Sequence, residues 1–314
     1  MVSTLLTQSV PVAFGTVKVM TQGMGVANLT IIRASDASDT VEIAYQVIGK
    51  NAEEAEATTV EINQDTADEL AVNITHPALD NKKGNNPFNV RGIKFNSDPE
   101  LIFHEPELHT DMQITLPEGL NSFELSGDFG SLIYDGPDLR KEFKVGLKAG
   151  SVRSSVPITA ESVDIKFDMG IIEFSQKLAA SSVSLSTKAG KLKGIYSGLN
   201  SLSISTEAGL VDVDVLCQKE TKVDVSSQFG AVAVNAVGFS GEFEAKTQLG
   251  QLNVSGGDEK PKSWFGLEKK VTGVVGEDVK GAGSLKVKTE VGKLTLNFKK
   301  GVDGESLPAY NPLD

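Results

Sequence analysis

Apolar side chains recur at every second position through most of this chain, and the beat slips about once in twenty residues, each time at a glycine. The glycines are Gly130, Gly150, Gly170, Gly190, Gly209, Gly230 and Gly250; one step of nineteen is followed by one of twenty-one, so the phase recovers. Gly292 supplies an eighth copy after an interruption. Counted from each glycine, positions −7, −5, −3 and −1 are apolar or small, as are +2 and +4. The third copy reads Val163, Ile165, Phe167, Met169, then Ile172 and Phe174. The sixth reads Val223, Val225, Ser227, Phe229, then Val232 and Val234. Period-two alternation predicts strands. Each repeat is therefore strand, turn, strand, with the glycine where a backbone free to take positive φ is needed.

Twenty residues cannot bury two faces of a hairpin, but stacked copies close a continuous apolar core. The predicted fold is all-β: a β-solenoid of about eight ~20-residue coils, roughly 38 Å long at ~4.8 Å per coil. The glycines should form one column, and Leu125, Val145, Ile165, Leu185, Ile204, Val225 and Ala245 an inward-facing one. The outward position −2 reads Asp128, Lys148, Asp168, Lys188 and Glu207, then Gln228, Gln248 and Glu290. Stacked like charges would repel, and here the signs alternate over five coils, which supports the register.

Residues 257–283 interrupt the beat and hold the only tryptophan, Trp264, beside Phe265. The pair is expected to plug an open end or side of the solenoid; the alternative is an aromatic platform for a sugar or peptide. Residues 1–120 lack the repeat yet still read as strands: Thr16–Met20, Ala27–Arg33, Val41–Val47, Thr59–Ile62, Glu69–Thr75 and Asp111–Leu116. They form an all-β cap or longer, irregular coils, with residues 77–100 as an excursion loop. The expected division is an acidic N-terminal region, 1–120, a solenoid, 121–300, and a tail, 301–314.

Composition agrees with many strands and tight turns, with 31 Gly and aromatics at 6%. Residues 1–120 carry 17 acidic and 7 basic side chains, a balance of −10 out of −12 for the chain. With no basic stripe elsewhere, nucleic acid is not an expected partner. No run of ~18 apolar residues predicts a membrane span. No basic residue precedes an apolar stretch near Met1, so the expected location is cytoplasmic.

The segment Thr110-Asp111-Met112-Gln113-Ile114-Thr115-Leu116-Pro117-Glu118-Gly119-Leu120 leads into Phe123-Glu124-Leu125-Ser126-Gly127-Asp128-Phe129-Gly130. An extended segment ending in a Leu-Pro turn, then short strands with a glycine before the next, resembles the putative-adhesin β-solenoid family of bacteria and fungi. The last coil, residues 284–296, looks like that family's repeat too. The resemblance covers about residues 15–300. It implies a β-solenoid and an adhesive or scaffolding role, and it supplies no catalytic residues.

Chemistry is sparse. His104 and His109 are five apart and separated by Pro106, which breaks the helix a zinc-protease motif needs. On a strand, Glu105, Glu107, His109 and Asp111 would share a face able to hold a divalent cation; a solvated, charged edge is the expectation. His76 stands before Pro77 without a partner in sequence. The single cysteine, Cys217, excludes an internal disulfide and a cysteine-based zinc site and falls at a core offset; an intermolecular disulfide or a reactive thiol is the alternative. Asp164, Asp168 and Glu173 are the nearest match to the clustered carboxylates of polysaccharide-cleaving β-helices. No phosphate loop or nucleophile elbow is present. No catalytic, cofactor-binding or metal residue is assigned, and no cofactor is expected. The chain reads as a non-catalytic, adhesin-like binding or scaffolding protein; the alternatives are a self-assembling structural protein and, behind it, a polysaccharide-active enzyme. The expected partners are further copies of itself (a homo-oligomer), carbohydrate or protein.

Overall fold

The computed structural model describes residues 2–11, 15–23, 25–35, 40–49, 52–66, 68–77, 108–256, 258–265, 268–276 and 282–301. The first part contains β1 (Val2–Pro11), β2 (Thr16–Gln22), β3 (Val26–Arg33), β4 (Thr40–Gly49), the short helix α1 (Ala52–Glu56), β5 (Thr59–Thr66), β6 (Glu69–Thr75) and β7 (His109–Leu116). The repeat region contains β8 (Ser122–Asp135), β9 (Glu142–Ser154), β10 (Ile158–Ser197), β11 (Ser201–Leu216), β12 (Lys222–Val237), β13 (Gly241–Ser255), β14 (Asp258–Phe265), β15 (Glu268–Val275) and β16 (Gly283–Lys299). Strand β10 runs unbroken through the coils of both Gly170 and Gly190.

The protein is a β-solenoid. Successive coils pair in parallel and in register, with Gly150 beside Gly130 and Gly170, and Gly209 beside Gly190 and Gly230. Leu125, Val145 and Ile165 are stacked partners, as are Leu185, Ile204 and Val225, and all are buried. The outward columns carry the ion pairs that alternation predicts. Lys188 Nζ lies 2.7 Å from Asp168, Lys148 pairs with Asp128, and position −6 adds Lys144 to Glu124 at 3.0 Å.

One inward assignment is corrected. Position −1 does not face the core in four of the coils: Met169, Phe229, Leu249 and Val291 are 46%, 53%, 48% and 37% exposed, whereas Ala149 is buried. The ladder passes from −3 to −1 without pairing −2, as where Phe167 meets Leu147 and then Met169 meets Ala149. In those coils positions −2 and −1 both point outward, and two successive outward residues turn the coil through a corner. At two corners the −3 hydroxyl braces the turn: Thr187 Oγ1 donates to the carbonyl of Ala189 at 3.0 Å, and Ser227 Oγ to that of Phe229 at 3.3 Å. The inward set is therefore −7, −5, −3, +2 and +4.

The order of the last two coils also differs from the sequence. Strand β16 lies between β12 and β13, parallel to both, so Gly292 separates Gly230 from Gly250. Ala245 reaches the inward column next to Val287, and Val287 lies next to Val225. Two contacts specify this place. Phe298 stacks on Phe239 and packs at a tilt against Phe243, with ring centroids 5.7 and 4.8 Å away. Asn297 donates to Asn235 at 2.9 Å and accepts from Ser255 at 2.7 Å, and Asn235 donates in turn to Asp214 at 2.7 Å.

The stack continues into the N-terminal strands. Strands β2 and β3 pair in parallel with the two halves of β8, and β6 and β7 pair in parallel with β2 and β3. The coil β2–β3 therefore sits between β7 and β8, which follow one another in sequence. Antiparallel strands then cover both ends: β4 on β7, β1 on β4 and β5 on β6 at one, β15 on β13 and β14 on β15 at the other. Reversal of strand direction stops the solenoid from growing. A single apolar cluster runs from Val10 to Phe298.

Candidate functional site

One glycine shapes an open groove on the outer surface. Position −4 holds Ser126, Gly146, Lys166, Ser186 and Ser205 in the first five coils, and −3 holds Gly127, Leu147, Phe167, Thr187 and Thr206. With no side chain at Gly146, the outer face of the first arm is hollowed into an open groove of about 480 Å³ that continues over Ser186 and Ser205. A Cβ on Gly146 would meet nothing within 4 Å. Glycine here relieves no clash; its absent side chain leaves space.

The groove runs along the solenoid axis, across the strands. Lys148, Lys166 and Lys188 line it together with Asp168, Glu207, Ser186 and Ser205. Most of these charges are already neutralised: Lys148 by Asp128, Lys188 by Asp168, and Lys166 by Asp164 at 2.9 Å. Hydrogen bonds donated to Asp128 and Asp168 raise the pKa of the Lys148 and Lys188 ammonium groups above their ordinary value, and both are charged at neutral pH. The wall thus offers ammonium donors, carboxylate acceptors and hydroxyls in alternation, at a spacing set by the ~4.8 Å coil rise. It suits a polar, uncharged, extended ligand better than a strong polyanion.

A smaller cleft of about 160 Å³ opens on the second arm, where Glu173, Lys193, Asp212, Asp214 and Asn235 meet. Asp214 there is engaged in the asparagine ladder.

The carboxylates singled out from sequence do not converge. Asp164 and Asp168 lie before the Gly170 corner and pair with Lys166 and Lys188, while Glu173 lies beyond it with Arg153 3.9 Å away. His109 and Asp111 share a face of β7, 3.8 Å apart, and Asn28 Nδ2 donates to Asp111 at 2.9 Å. His104, Glu105 and Glu107 lie outside the described residues. Among the described residues no group of three or more His, Cys, Asp or Glu could hold a metal ion. His76 is buried with Nε2 3.0 Å from Thr110 Oγ1, and desolvation lowers its pKa. Cys217 is a free, partly buried thiol packed on the core, and burial pushes it up to about 12. Trp264 lies on the outermost strand, β14, opposite Lys269 in register. Among the described residues no helix is long and apolar enough to cross a membrane.

The groove was missed from sequence because its signal is an absence. Lining up the coils by their corner glycines would have exposed it, since Gly146 stands where the neighbouring coils carry Ser126, Lys166, Ser186 and Ser205.

No curated protein matches this chain. It is similar in structure to a putative cell adhesion protein from Clostridium sporogenes, at 12% identity and TM-score 0.29, covering 95% of this chain and 99% of that one. A putative adhesin from Bacteroides fragilis gives 12% identity and TM-score 0.38, covering 94% and 97%. A putative lipid binding protein from Parabacteroides distasonis gives 10% and 0.34, covering 94% and 96%. Likeness at this level carries no functional information. The family model for Toastrack DUF4097, by contrast, matches residues 53–303, from α1 through the intercalated last coil, and the chain belongs to that family.

Proposed function

We propose that this protein is a non-catalytic, adhesin-like binding protein that takes an extended, neutral carbohydrate along the groove over Gly146. The observation that carries the reading is the groove's wall, where ammonium, carboxylate and hydroxyl groups alternate beside unfilled space at Gly146. Sugar hydroxyls both donate and accept, so a wall of both kinds satisfies them without net charge. A shallow site of this type gives modest affinity for one sugar, and repetition along the rod adds avidity. The paired carboxylates favour binding over hydrolysis, because each is held by a lysine or arginine and none is arranged with a second as general acid and base.

Glycan-array binding followed by titration tests the reading. Wild type should bind neutral polysaccharides, and Gly146→Trp, which fills the groove, should abolish binding while leaving the fold intact. Equal binding by both proteins removes the groove from the function. Cell fractionation tests the cytoplasmic location in the same preparations; a protein kept in the cytoplasm would meet only intracellular glycans.

A second reading, self-assembly, rests on a different observation. Phe229, Val291 and Leu249 sit on consecutive coils at the corner and are all exposed. An apolar column of this kind favours packing of one rod against another. Sedimentation of wild type against Phe229→Ser/Leu249→Ser separates it from the first reading: an oligomer lost in the variant supports assembly through the corner.

A further inference from the structure

We propose that the last coil is an exchangeable strand: the slot between β12 and β13 accepts β16 from a second copy of this chain as readily as its own. This rests on the order of strands and is independent of the carbohydrate groove.

Strands β12 and β13 are joined by the short segment 238–240, yet β16 separates them, paired from end to end with each. The chain arrives at β16 from β15, which pairs with the opposite edge of β13. Strand β16 therefore lies on the other side of β13 from the strand that precedes it. Every contact that fixes β16 comes from strands completed earlier: Phe239 and Phe243 around Phe298, Asn235 and Ser255 on either side of Asn297, and Gly230 and Gly250 beside Gly292.

Synthesis and folding run from the N-terminus, so β12 and β13 exist before β16 does. During that interval they face each other with Gly230 and Gly250 twenty residues apart, the same step that separates stacked glycines elsewhere. Direct closure of β12 on β13 would then leave β16 outside, with two unpaired strand edges. Such a segment pairs with whatever parallel slot is open, and only a second copy offers Phe239, Phe243, Asn235 and Ser255 in the right places. An exchanged β16 makes the same contacts as a resident one. The two arrangements therefore differ in chain connectivity, and protein concentration during folding sets their ratio.

The experiment uses the full chain carrying Cys217→Ser, Ser227→Cys and Thr289→Cys. Residues 227 and 289 are register partners on β12 and β16, at a separation of adjacent strands that a disulfide can span. The protein is unfolded under reduction, refolded at dilute and at high concentration, and oxidised. A resident strand gives an intramolecular bond; an exchanged strand joins residue 227 of one copy to 289 of the other. The expected result is a disulfide-linked dimer on a non-reducing gel whose fraction rises several-fold with refolding concentration. A monomer at every concentration overturns the proposal. A second measurement protects against a variant that fails to fold. Isotope-labelled and unlabelled wild type, refolded together at high concentration and then diluted, should keep mixed dimers visible by native mass spectrometry. Mixed dimers that never form, or that vanish at once on dilution as corner-packed rods would, also overturn it.

Discussion

At Gly230 the backbone has φ of +133°, and a Cβ built there would overlap the carbonyl oxygen of Gly209 in the coil below. Gly146 has no such neighbour. The two should respond oppositely to alanine. Gly230→Ala is expected to lose about 2 kcal/mol or more through strain and overlap, while Gly146→Ala gains up to about 1 kcal/mol by restricting the unfolded chain. Denaturant titration of both variants measures the contrast, and equal effects would contradict it. Ile165→Asp should unfold the rod outright, because a fully buried column position would receive an unpaired charge. Cys217 behaves as a core side chain. With its thiol pushed up to about 12, it should react with a thiol reagent at pH 8 far more slowly in the native than in the unfolded protein. The sign for stability follows from the raised value. The unfolded thiol ionises first, so the stabilisation is complete below about pH 9 and is lost as pH rises toward 12. Thermal melts across that window, compared with Cys217→Ala, isolate this contribution.

Among the elements, β16 holds the most unusual position, being last in sequence but interior in space. Its aromatic anchor Phe298 fills the space between Phe239 and Phe243. Phe298→Ala should cost about 3–5 kcal/mol, the usual range for emptying an aromatic site in a core. Asn297→Ala should cost less, about 1–3 kcal/mol, because it breaks two links of one ladder and orphans their partners. Equilibrium unfolding ranks the two, and the reverse order would mean that the polar ladder, and not the aromatic contact, specifies the interleaved coil.

For the molecule as a whole, the continuous core ties the coils together, while the antiparallel strands at each end limit their number. Solenoid stability is close to a sum over neighbouring coils, so the ends control aggregation more than they control folding. Replacing residues 258–275 by a short linker should leave the circular-dichroism signature of strands in place. It should also cause concentration-dependent association, read by light scattering, because the outer edge of β13 would lose its partner β15. A variant that stayed monomeric would show that the hairpin does not guard that edge.

The repeat, the strand content and the inward columns were legible in the sequence, because period-two alternation and a twenty-residue glycine step depend only on neighbours along the chain. Local geometry dictates which face of a strand Val225 or Ile165 occupies. The same pattern misassigned position −1, since an apolar Phe229 or Met169 at a corner looks identical to one facing the core until the turn is known. Alternation likewise assigns Gly292 to a coil but cannot order that coil, because its inward residues Leu285, Val287, Leu294 and Leu296 would fit beside any other. Only tertiary structure decided that, by bringing Phe298 onto Phe239 and Phe243 and Asn297 between Asn235 and Ser255. The groove over Gly146 belongs to the same class. An omitted side chain becomes a site only when stacking places its neighbours around the gap.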